Sequence, residues 1–138
     1  MTPKKLYLIV VFAILLFIRL GGSEEKVEQE SLVIVLDDSN YAQQLGKNES
    51  ILIDFYVPWC PHCEKLAPSF EEAAKLAKEE KLPVVLGKVN CLVARETCQV
   101  ENVGVYPTIR LFRPQKEPVT YTASKKALPI FYFLRKMS

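Results

Sequence analysis

Apolar and polar positions along this chain switch repeatedly between the period of a strand and the period of a helix. Leu32-Val33-Ile34-Val35-Leu36 is a short apolar run that reads as a first strand. Asp37-Asp38-Ser39-Asn40 supplies N-cap chemistry for a short helix ending near Gly46. Ile51-Leu52-Ile53-Asp54-Phe55-Tyr56-Val57 is almost continuously apolar, the pattern of a central strand covered on both faces. From Pro61 to Glu80 the period becomes helical: Leu66, Phe70, Ala73, Ala74 and Ala77 share one stripe, while Glu71, Glu72, Lys75, Lys78 and Glu79 face water. Pro61 suits the first helical position. Pro68 lies inside the pattern, removes a backbone donor and predicts a kink.

Further along, Val84 to Val89 predicts a buried strand, Ala94 to Val100 a short helix and Thr108 to Phe112 another strand. Val119-Thr120-Tyr121 is a weaker strand candidate. Ser124 is the candidate cap of a last helix through Leu128, Ile130, Phe131 and Leu134, with Pro129 limiting its start to near Leu128 or kinking it early. The order βαβαβαββα predicts an α/β domain, a central mixed sheet with helices on both faces.

Residues 1–23 stand apart. Lys4 and Lys5 precede an apolar run from Leu6 to Ile18, followed by Arg19 and the small residues Gly21, Gly22 and Ser23. This is the layout of a secretory signal peptide, leaving residues 24–138 as the domain, with 24–30 a polar tail. An uncleaved anchor is the alternative, although 13 apolar residues fall short of the about 20 that span a bilayer. The full chain of 138 residues has a net charge of +2. Removing 1–23 takes away Lys4, Lys5 and Arg19 and no acid, leaving 15 basic and 16 acidic residues, a net charge of −1. No basic face remains to suggest nucleic acid as a partner. A membrane partner is expected only if the leader stays attached. Asn48-Glu49-Ser50 matches the N-glycosylation sequon, which fits a surface loop of a secreted protein.

The candidate chemistry lies at Trp59-Cys60-Pro61-His62-Cys63, where a Cys-x-x-Cys pair adjoins the single tryptophan and encloses the single histidine. The predicted strand before it and helix after it put Cys60 at a helix N-terminus, where partial positive charge favours a thiolate. A protonated His62 adds to that. Cys60 is therefore the candidate nucleophile and Cys63 the resolving thiol, which attacks Cys60 in a mixed disulfide to release the product. Half of a zinc site is the alternative. It fits poorly, because six residues lie between Cys91 and Cys98 and no second histidine exists, so neither a metal nor another cofactor is expected. Asp54 is the one carboxylate inside an apolar strand. Burial there raises its pKa, unless it sits at the strand end facing solvent.

Asp54-Phe55-Tyr56-Val57-Pro58-Trp59-Cys60-Pro61-His62-Cys63 with Lys65-Leu66-Ala67-Pro68, then Val105-Tyr106-Pro107-Thr108 and Tyr121-Thr122-Ala123, resembles the protein disulfide isomerase family over residues 31–136. The resemblance implies a thioredoxin fold and thiol–disulfide exchange on client cysteines. It implies that Asp54 relays protons for Cys63, that the Tyr106–Pro107 bond is cis beside the active sulfurs, and that Trp59, Tyr106 and Pro107 contact substrate. Core packing is the alternative for Trp59. It also implies a structural disulfide between Cys91 and Cys98, with a second redox-active pair as the other reading. Three positions depart from the family. Pro61 stands where the isomerases usually have Gly, and a Pro-His pair also occurs in a strongly oxidising periplasmic enzyme of this fold. Glu64 stands where Lys is usual, and a carboxylate there disfavours the thiolate. Lys125 replaces the Arg that helps reoxidation, keeping the charge but not the planar fork.

The expected function is a secretory thiol–disulfide oxidoreductase that forms, reduces or rearranges client disulfides, reoxidised by a partner or by glutathione. A thioredoxin-fold chaperone or adaptor with little turnover is the alternative, and cytosolic disulfide reduction follows only if the leader is no signal. Arg135-Lys136-Met137-Ser138 is not a Lys-Asp-Glu-Leu-type retrieval signal. Residence in the endoplasmic reticulum lumen then calls for a partner, an anchor or a longer isoform, and secretion is the other expectation.

Overall fold

The computed structural model describes residues 2–20 and 29–138. The chain divides into two units, Met1–Glu30 and Ser31–Ser138. Within the first, the apolar run forms helix α1 (Pro3–Leu20). Among the described residues no helix is long and apolar enough to cross a membrane. The Gly21-Gly22-Ser23 cleavage region and most of the 24–30 tail lie outside the described residues.

The second unit follows the predicted order: β1 (Val33–Leu36), α2 (Tyr41–Lys47), β2 (Ile51–Tyr56), α3 (Pro61–Glu79), β3 (Val85–Asn90), α4 (Arg95–Val100), β4 (Thr108–Arg113), β5 (Lys116–Thr120) and α5 (Ala127–Met137). The five strands form one sheet in the order β1-β3-β2-β4-β5. β3 pairs in parallel with β1 and β2, while β4 runs antiparallel to β2 and β5. The sheet is thus mixed, and its centre is β2, the most buried strand. This is the thioredoxin fold.

Alternation along β2 builds two cores. Leu52 points to the face covered by α3 and α5, against Leu66, Phe70, Ala73, Ile130 and Leu134. Ile51, Ile53 and Phe55 point to the other face, against Tyr41 of α2, Cys98 of α4 and Phe112 of β4. Asp54 has the parity of Leu52, so its side chain belongs on the α3 side. Helix α3 continues through Pro68, at the cost of one amide donor to the preceding turn.

Several local details differ from the sequence reading. Ser124 does not cap the last helix: Lys126 occupies the N-cap without a side-chain bond, and the Ser124 carbonyl instead accepts the Tyr121 hydroxyl. Pro129 falls in the first turn of α5, where its missing amide has no carbonyl to reach, so no kink is required. Strand β5 starts earlier than expected and includes Pro118, which an edge strand tolerates. Asn40 caps α2 by position only. Its side chain accepts from the Asp37 amide at 2.9 Å while Asp37 Oδ1 accepts from the Asn40 amide at 3.2 Å, a reciprocal pair that fixes the turn into the helix.

Candidate functional site

Cys60 is the N-cap of α3, with extended backbone (φ −92°, ψ 111°), and Pro61 follows at the first helical position. A polar side chain at an N-cap accepts one of the helix's unpaired amides; here the acceptor is sulfur. The Cys63 amide donates to Cys60 Sγ at 3.1 Å. That bond and the partial positive charge of a 19-residue helix both favour negative charge on Cys60. One turn of helix brings Cys63 back under it: the Cα atoms are 5.2 Å apart and the two sulfurs are joined. Both cysteines are largely covered, Cys60 at 8% and Cys63 at 5% exposure.

The loop before β4 closes over this pair. The Tyr106–Pro107 peptide is cis, and the Tyr106 carbonyl oxygen lies 3.7 Å from Cys60 Sγ. The Thr108 hydroxyl donates to the Val105 carbonyl at 2.6 Å, which ties the loop to the start of β4. Trp59 is 66% and Val105 72% exposed, with Tyr106 also open to solvent. Core packing therefore does not account for Trp59. Trp59 adjoins Cys60 in sequence and the Tyr106 carbonyl lies against its sulfur, so exposed apolar side chains stand beside the pair.

Beneath the motif, Asp54 is 5% exposed and its Oδ1 has no hydrogen-bond partner among the described residues. Burial pushes its carboxyl up to about 7, and the Lys88 ammonium only partly offsets this. A cavity of about 170 Å³ has both Asp54 and Cys63 on its walls, together with Tyr56, Glu64 and Lys88. The arrangement can form and break a disulfide at Cys60 and exchange a proton near Cys63 close to neutral pH.

The sequence pattern that defines the thioredoxin family matches residues 32–136. The chain belongs to the thioredoxin family. It is similar to protein disulfide-isomerase of Gallus gallus, 37% identical over 128 residues, covering 91% of this chain and 25% of that protein. Protein disulfide-isomerase 1 of Caenorhabditis elegans is 37% identical over 129 residues, covering 94% of this chain and 26% of that protein. The solution structure of the first thioredoxin domain of mouse protein disulfide-isomerase A4 superposes with a TM-score of 0.70 at 29% identity, covering 85% of this chain and 83% of that one. The chain thus carries a disulfide isomerase-like thioredoxin domain with a Cys-x-x-Cys pair at disulfide distance. It spans about a quarter of the length of the curated relatives it matches.

The remaining candidate residues of this thioredoxin domain are placed unevenly. His62 and Lys125 are exposed, and neither makes a hydrogen bond or ion pair among the described residues. Lys125 is thus not brought onto the sulfurs by any direct bond. Cys91, just past β3, and Cys98 on α4 are joined, with Cα atoms 5.6 Å apart and both side chains buried in the same core as Cys60 and Cys63. Asp38 anchors α4 by accepting the Thr97 amide at 2.8 Å and hydroxyl at 2.7 Å. Asn48, in the turn between α2 and β2, is half-buried, and its Nδ2 donates to the Gln44 carbonyl at 2.7 Å. The sequence reading missed Lys88. Its signal was available as the one cation in the predicted strand Val84 to Val89, but only the register Asp54↔Lys88 shows what it faces.

Proposed function

We propose that this domain is a thiol–disulfide oxidoreductase acting on cysteine-containing proteins of the secretory pathway. The observation that carries the reading is a Cys60 sulfur held at the N-terminus of α3 and bordered by the Tyr106 carbonyl of the cis loop. In reduction, the Cys60 thiolate attacks one sulfur of a client disulfide. The Cys60–client bond forms as the client's bond breaks, and the departing client sulfur leaves as a thiolate that takes up a proton. Cys63 then gives its proton to Asp54 and attacks Cys60, restoring the Cys60–Cys63 disulfide and releasing the second client sulfur. Oxidation of a client dithiol is the same sequence reversed, with the reduced pair reoxidised by a partner or by glutathione disulfide.

His62, a cation when protonated, sits one residue before Cys63 and supports the Cys60 thiolate. Lys125 supports reoxidation by its charge alone. Trp59, Tyr106 and Pro107 receive the client, whose extended backbone lies along the loop as an added strand would. Cys91–Cys98 is a structural disulfide that holds α4 to the end of β3. Residues 1–23 direct the chain to the secretory pathway as a cleaved signal, placing the domain in the endoplasmic reticulum lumen or outside the cell, where Asn48 is a glycosylation site.

Refolding of reduced, denatured ribonuclease tests the reading: the wild-type protein accelerates recovery of activity and Cys60→Ser does not. Full activity in Cys60→Ser would sink the catalytic claim. The exposed Trp59, Val105 and Tyr106 favour a second reading, a chaperone or adaptor that holds clients with little turnover. Undiminished client binding by a Cys60/Cys63 double variant, with no turnover in the wild type, supports it.

A further inference from the structure

Asp54 lines two cavities. The one of about 170 Å³ reaches Cys63. The other, about 310 Å³, is lined by Val33, Glu71 and residues of α3. Asp54, Glu64 and Lys88 line both. The charged and titratable groups facing Asp54 can therefore be named by element: Tyr56 from β2, Lys88 from β3, and Cys63, Glu64 and Glu71 from α3. β1 and β4 present only Val33 and the register partner Ile109.

These groups are not equivalent. Glu71 is occupied: one oxygen accepts the Ser31 hydroxyl and the other the Leu32 amide at 3.2 Å. Burial and the nearby Asp54 carboxylate push the Tyr56 phenol up, so it stays neutral. Glu64 is exposed, and its carboxylate makes no hydrogen bond or ion pair among the described residues. Its backbone is fixed by an amide bond to the Cys60 carbonyl at 3.1 Å. Lys88 is the single cation on either cavity wall among the described residues, and no ion pair within 4.0 Å joins it to Asp54 or Glu64. One ammonium thus borders the same two cavities as both carboxylates.

We propose that Glu64 is a positioning residue that raises the proton affinity of Asp54 by competing with it for the Lys88 ammonium. A charge shared with Glu64 stabilises the Asp54 carboxylate less than a charge held by Asp54 alone. With Glu64 in place, Asp54 titrates near neutral pH and can both take a proton from Cys63 and return one. Without it, Lys88 turns to Asp54, the carboxylate ionises earlier, and Asp54 becomes a weaker base for the Cys63 proton. The catalytic consequence rests on the exchange reading above, whereas the electrostatic relationship does not.

Carbon-13 NMR titration of the Asp54 carboxyl in the full-length oxidised protein tests this without client or turnover, so a chain inactive in exchange still gives a result. Glu64→Gln is expected to lower the Asp54 midpoint by about half a pH unit or more, and Glu64→Lys to lower it further. In a Lys88→Gln background the Glu64→Gln shift is expected to shrink to less than half. An Asp54 midpoint unchanged in both Glu64 variants overturns the proposal. So does a full-sized shift in the Lys88→Gln background, because Glu64 would then act on Asp54 directly. Gln at an exposed first-turn position leaves the fold intact.

Discussion

Asp54 of β2 and Lys88 of β3 are register partners in the parallel pair at the middle of the sheet, yet no ion pair joins them. The acid is buried, its Oδ1 is unpartnered, and the lysine offsets only part of the burial. A structural ion pair would have closed this gap. Its openness is what leaves Asp54 able to bind and lose a proton near neutral pH.

The raised Asp54 pKa has a definite effect on stability. In the unfolded chain Asp54 ionises near its ordinary value of 3.8, whereas in the fold it does so at about 7. Between these values the native state binds more protons, so wild-type stability falls as pH rises, and the loss is complete above the folded value. Asp54→Asn removes this loss. Urea unfolding is expected to show the stability of the variant relative to wild type climbing between about pH 4 and 7, then levelling off. The total rise is on the order of 4 kcal/mol. A pH-independent difference would mean that Asp54 is not the group that titrates.

Cys63 is expected to govern release rather than attack. In Cys63→Ser, Cys60 can still open a client disulfide, but no internal thiol is left to free the product. Mixed disulfides between domain and client should accumulate on non-reducing gels, sensitive to added dithiol. Cys60→Ser should give none, because Cys63 is covered and the amide at 3.1 Å points at Cys60.

The poise of the pair should respond to the charge at position 64. Glu64 lines the same cavity as Cys63, in the first turn of the helix whose N-terminus carries Cys60. A carboxylate there opposes the helix's positive end as a thiolate partner. Glu64→Lys is expected to shift the equilibrium with glutathione about tenfold toward the dithiol, equivalent to a rise of about 30 mV. The fraction of reduced protein across glutathione buffers measures it, and the shift should shrink at high salt because residue 64 is exposed.

The second disulfide should matter for stability and not for exchange. Replacing Cys91 and Cys98 together by Ala opens a short loop between β3 and α4. Chain entropy alone predicts a loss of about 2–3 kcal/mol, read by thermal unfolding. Ribonuclease refolding at a temperature where the variant stays folded should match wild type. A large loss of turnover there would indicate that the pair takes part in electron transfer.

Periodicity made most of the fold readable because each element buries a continuous stripe or run. The almost continuously apolar β2, the stripe of α3 and the order of elements all survive in the structure. Boundaries failed where local chemistry had competing partners. Ser124 looked like a cap, but its carbonyl is taken by the Tyr121 hydroxyl and the helix starts at Ala127. The ends of α3 and α4, by contrast, were read to within one residue although no glycine marks them. Lys81 (φ 53°) and Asn102 (φ 52°) adopt left-handed backbone just past each helix, and the Leu82 and Val103 amides reach back to the Ala77 and Cys98 carbonyls. Glycine is the usual residue at such ends.

Sequence alone singled out the Cys60–Cys63 pair, two cysteines one helical turn apart after a buried strand, and the structure joins them. It also singled out Asp54, because a carboxylate in an apolar run is conspicuous. Tertiary structure alone decided what surrounds them. The Tyr106 carbonyl comes to Cys60 from 46 residues away, and Lys88 faces Asp54 only because β2 and β3 pair in one register. Pattern along a chain reports which face of an element is apolar. Proton affinity depends on which charges meet across a cavity, and that is set by how the elements pack.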